Sequence, residues 1–83
     1  MIRVMYFAWL RERIDESAED FDASGLATVA ELVAALKAKG ERYEVAFADM
    51  ASIRIAVDQR VASLDAPLAG VREVAFFPPM TGG

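Results

Sequence analysis

With 83 residues, 13 acidic and 9 basic side chains, the chain carries a formal net charge of −4 and contains neither His nor Cys. That length supports one domain with a modest core, and the missing residue types exclude disulfides, thiolate metal sites, imidazole bases and thiol nucleophiles. The acidic balance argues against nucleic acid, whose phosphates require clustered Lys and Arg, so any chemistry rests on carboxylates, on backbone or on a partner's active site.

The apolar start, MIRVMYFAWL, is too short to span a bilayer and lacks a small-residue cleavage site, so the expected location is cytoplasmic, with no membrane partner. Residues 2–9 alternate as a strand, Ile2, Val4 and Tyr6 on one side and Met5, Phe7 and Trp9 on the other. Both sides are apolar, as in a central strand. RERIDE at 11–16 reads as a solvated turn, with Arg11 a solvent charge or a partner contact. AEDFDAS at 18–24 reads as an acidic edge strand ended by Gly25.

Thr28 and Glu31 have capping-box spacing, and Val29, Leu32, Val33 and Leu36 form one helical stripe. Lys37 and Lys39 then suit the negative end of the helix dipole, and Gly40 suits a left-handed stop. ERYEVAFA at 41–48 predicts a short second helix with Tyr43 and Phe47 on one side. Residues 52–57 return to period two, Asp58-Gln59 is a tight-turn candidate, and Arg60 to Ser63 forms the returning strand of a hairpin. Residues 65–70 read as a loop. EVAFF at 73–77 is the last strand, with Val74 and Phe76 on one face and Ala75 and Phe77 on the other.

A single main helix covers one face of such a sheet, over Ile2, Val4, Ile53, Ile55, Val57, Val74 and Phe76. Phe7, Trp9, Val61 and Phe77 are left as an apolar patch of the kind that marks a partner surface. The alternative covers are the 41–48 helix or a second copy of the chain. Glu41 with Glu44, and Asp20 with Asp22, lack the dry, convergent surroundings of a catalytic or calcium site and read as solvated charge.

After the last strand come Pro78-Pro79, Met80, Thr81, Gly82 and Gly83. The proline pair stops the ladder and favours an extended backbone, so residues 78–83 form a flexible tail on a single 1–83 domain. Its six residues reach roughly 20 Å at about 3.3–3.6 Å each. Gly82-Gly83 has no Cβ, so it fits a narrow channel and leaves a carboxylate unhindered.

FFPPMTGG at 76–83, with EVAFFPP running into it, resembles the C-terminus of the small, sulfur-carrying subunits of molybdopterin synthase. YFAWLRE at 6–12 is similar to that family's first strand and the Arg-Glu turn after it, and IAVDQ at 55–59 to its third strand and hairpin turn. The likeness spans the whole chain. It departs at Asp58, where the family usually has Asn, at Gly70-Val71-Arg72 in place of an acidic turn, and at Ile14-Asp15-Glu16, where a Gly is common.

The resemblance implies an α+β, ubiquitin-like β-grasp fold: a mixed sheet of four or five strands, the first and last parallel and adjacent, with one main helix on one face. It implies a sulfur carrier that is not an enzyme on its own. A partner adenylating enzyme, using ATP, would activate the Gly83 carboxylate, and a sulfur donor would convert it to a thiocarboxylate. The large synthase subunit would then receive Gly82-Gly83 and the preceding Pro78, Pro79, Met80 and Thr81, with Phe7, Val61 and Phe77 docking beside them. No cofactor is expected on this chain. The other readings are a related carrier for thiamine or tRNA thiolation, a protein modifier joined through Gly83, and an interaction domain with an inert tail.

Overall fold

The period-two segments become strands β1 (Ile2–Tyr6), β2 (Ala18–Phe21), β3 (Arg54–Val57), β4 (Arg60–Ala62) and β5 (Glu73–Phe77) in the computed structural model, which describes residues 1–79. They form one sheet in the order β2-β1-β5-β3-β4. The β1–β5 pair is parallel and the others are antiparallel, which is the β-grasp arrangement. The acidic edge strand is present, shortened to Ala18–Phe21 and paired with β1. The β3–β4 hairpin turns through Asp58 (φ 48°) and Gln59 (φ 71°). Two successive positive φ values match the right-handed twist of the flanking strands, and Asp is among the residues that tolerate them.

The expected main helix is α2 (Val29–Lys37) and the expected short second helix is α3 (Glu41–Ala46); among the described residues one further α-helix, α1 (Trp9–Ile14), joins them. The stripe of α2 is buried as its spacing predicts. Thr28 Oγ1 accepts the Glu31 N–H at 3.3 Å, while Glu31 Oε1 accepts the Ala27 N–H at 3.1 Å, one residue before the usual capping-box partner. Tyr43 and Phe47, expected on one side of the short helix, are both buried.

Residues 11–16 do not form a turn. They belong mostly to α1, because Leu10 and Ile14, four residues apart, are both fully buried on one helical face. Asp15, at φ 66°, ends this helix in the left-handed conformation, at the place where the resembled family commonly has Gly. The strand expected over 2–9 therefore stops at Tyr6. Ala8, at φ 56°, turns the chain, and Trp9 leaves the sheet to pack against the core with Arg13 stacked 4.7 Å from its ring centroid. Gly40 is not a left-handed stop either. Its backbone is extended, and it precedes α3 as that helix's N-cap.

The buried side chains make one cluster between helices and sheet. At its centre Phe76 stacks on Tyr6 (ring centroids 6.4 Å) and meets Phe47 edge-on at 5.0 Å.

Candidate functional site

β5 carries the tail, so whatever fixes β5 fixes where the tail starts. Its flanks are β1 and β3, and Phe7 N–H extends the parallel ladder to Phe76 C=O at 3.1 Å. Its beginning is tied to the hairpin turn. Asp58 Oδ1 accepts the N–H groups of Arg72 and Glu73, each at 3.0 Å, and Asp58 N–H donates to Glu73 C=O at 3.0 Å. An Asn side-chain carbonyl would accept in the same way, so the Asp58 departure leaves this tie chemically intact.

The sheet face turned away from the helices is organised in rungs, read from the strand registers. Asp20, Arg3 and Glu73 lie side by side, with Arg3 Nη2 3.9 Å from Asp20 Oδ1. The next rung is apolar throughout: Ala18, Met5, Ala75, Ala56 and Val61. The last pairs Phe77 with Arg54. Along these rungs lies an open groove of about 710 Å³, whose walls include Glu73, Met5, Phe7, Ala75, Phe77, Pro78 and Pro79. Phe7 is 42% exposed and Val61 79% exposed, while Phe77, Pro78 and Pro79 are half-buried.

Parity thus places Phe7, Phe77 and Val61 on the face away from the helices, with Val61 on the apolar rung rather than in the groove wall. Trp9, read with them, lies elsewhere. The 41–48 helix packs on the opposite side. Met80, Thr81, Gly82 and Gly83 lie outside the described residues.

A second cluster, which sequence reasoning did not single out, lies on the helix side. The half-buried Glu19 carboxylate accepts from Tyr6 O–H at 2.8 Å and Tyr43 O–H at 2.7 Å, and it pairs with Lys39. Lys39 is therefore a partner of the edge strand rather than a free charge at a helix end. Burial alone would raise the Glu19 pKa, but the hydrogen bonds from Lys39, Tyr43 and Tyr6 hold it below its ordinary value. Burial and then Glu19 push the Tyr6 and Tyr43 hydroxyls upward. No buried side-chain polar atom among the described residues lacks a partner, and these bonds tie β2 to α3. The signal was parity: Glu19, not Asp20, is the acidic residue of β2 that faces inward.

Among the described residues no group of three acidic side chains is placed to hold a metal ion, and no helix is long and apolar enough to cross a membrane.

The family model described as ThiS family matches residues 4–83. Over 83 residues, spanning all of both chains, the sequence is 40% identical to the molybdopterin synthase sulfur carrier subunit of Escherichia coli (strain K12). It is 31% identical, again across both whole chains, to the protein of that name from Haemophilus influenzae. Among solved structures, SAMP1 from Haloferax volcanii aligns with a TM-score of 0.75 at 25% identity, covering 99% of this chain and 98% of that one.

Proposed function

The chain belongs to the ThiS family, and from that premise we propose that it is a sulfur carrier subunit of molybdopterin synthase whose reacting group is the Gly83 carboxylate. A carboxylate is a poor electrophile, so it must first be activated. In a partner adenylating enzyme its oxygen attacks the α-phosphorus of ATP and expels pyrophosphate. A sulfide-equivalent donor then displaces AMP and leaves a thiocarboxylate. In the large synthase subunit that sulfur attacks a carbon of the cyclic pterin precursor and displaces an oxygen substituent, and water then cleaves the acyl C–S bond, leaving the sulfur on the pterin and a free Gly83 carboxylate. The chain has no His or Cys to contribute to these steps. Its own work is to hold the tail, with Gly82 and Gly83 passing a channel too narrow for side chains and Phe7, Val61 and Phe77 anchoring the partner.

The observation that carries this reading is the largely apolar groove whose walls include Pro78 and Pro79, where the tail begins. The reading is tested by the intact mass of the protein purified from its own cells. Replacement of one oxygen by sulfur is the expected finding. A chain that is never thiolated, and that instead appears in higher-mass conjugates, favours the protein-modifier reading.

A further inference from the structure

The open face is not uniform along β5. The rung at its beginning, Asp20-Arg3-Glu73, alternates in sign and sums to one negative charge. The rung at its end, next to the tail, pairs Phe77 with Arg54. Glu73 and Phe77 are four positions apart, or roughly 13 Å of strand. Arg54 is exposed, and no described carboxylate lies within ion-pair distance of it, whereas Arg3 on the same face already has Asp20. Its guanidinium does not stack on a described aromatic ring either. On a chain of net charge −4 this leaves one uncommitted cation among the strand residues of the docking face, beside the last aromatic anchor before the tail.

We propose that Arg54 is a specificity-determining contact, pairing with a carboxylate on the large synthase subunit at the mouth of its tail channel. The inference rests on the reading of this face as the partner-docking surface. Apolar contacts at Phe7, Phe77 and Val61 supply attraction without direction. A cation on the rung after the apolar one and an excess negative charge on the rung before it give the face a polarity along β5. A partner with the opposite polarity docks in one orientation, the one that carries the tail into the channel, and the reversed orientation brings like charges together.

The test measures binding and association rate of the cognate large subunit with the full chain at low and high salt. The variants are Arg54→Glu, Arg54→Gln and Arg54→Lys, with Phe77→Ala as reference. Thermal melts show that each is folded, and Arg54→Gln carries the test if the charge reversal disturbs the strand. Arg54→Glu is expected to weaken binding roughly tenfold at low salt, mainly in association rate, with a deficit that shrinks toward twofold as salt rises. Arg54→Lys restores most of the affinity. If Phe77→Ala weakens binding while Arg54→Glu and Arg54→Gln bind as the parent does at both salts, the Arg54 contact is refuted and the docking face stands. If Phe77→Ala also binds normally, the docking face falls and Arg54 with it.

Discussion

Neighbouring residues of β5 meet opposite fates on the two faces of one sheet. Phe76 is fully buried, stacked on Tyr6 and edge-on to Phe47, while Phe77, one residue later, lines an open groove beside Arg54. On the helix side Glu19 accepts from both Tyr6 and Tyr43, and no buried side-chain polar atom among the described residues lacks a partner. The other side is as apolar along its middle rung, and no helix of the described residues covers it. Apolar side chains of similar type thus serve stability on one face and remain available for contact on the other, and only the helices decide which.

The sharpest way to break that contrast is to truncate both aromatics. Phe76→Ala should cost about 3–5 kcal/mol of folding stability, the range for a buried aromatic. Phe77→Ala should cost about 1 kcal/mol or less in the isolated chain, yet weaken binding of the large subunit more than about tenfold, as expected of a central anchor. Denaturant unfolding and titration with the partner measure the two quantities. Equal destabilisation by both variants would show that the two faces do not differ as described.

A smaller effect tests whether the closed face depends on its polar cluster. Glu19→Gln removes the charge that Lys39 and two tyrosines share and should cost about 1–2 kcal/mol at neutral pH, without affecting partner binding. Because the folded state holds the Glu19 carboxyl below its ordinary value of 4.5, the stability it contributes is complete above that value and is lost as pH falls through the lower folded value. Melts taken from pH 7 to pH 3 should therefore decline less steeply in Glu19→Gln than in the parent. An unchanged acid slope would remove Glu19 from the account of stability.

Where the sequence was legible, the signal was strong and local. Thr28 with Glu31 marked the start of α2, Asp58-Gln59 marked the hairpin, and the parity of Phe76 and Phe77 separated the two faces before any coordinates. α1 was not legible. It is six residues long, its two core side chains sit among charged neighbours, and no side chain caps its N-terminus at Ala8. Its first residue, Trp9, also continued the apolar alternation of β1, so strand and helix signals overlapped. Gly40 was ambiguous in the sequence because α2 ends and α3 begins within a few residues, and a glycine there fits either role. The Glu19 cluster joins residues 13 and 24 positions apart, a proximity that only the assembled sheet creates.

The most direct measurement of the central claim removes Gly83 alone and follows two readouts in a system supplied with the adenylating enzyme, ATP, sulfide, the large subunit and the pterin precursor. The melting of the shortened chain should match that of the full chain, since Gly83 lies six residues past β5, while precursor conversion should fall to background. Conversion by the shortened chain at the full-length rate would contradict the assignment of Gly83 as the reacting residue.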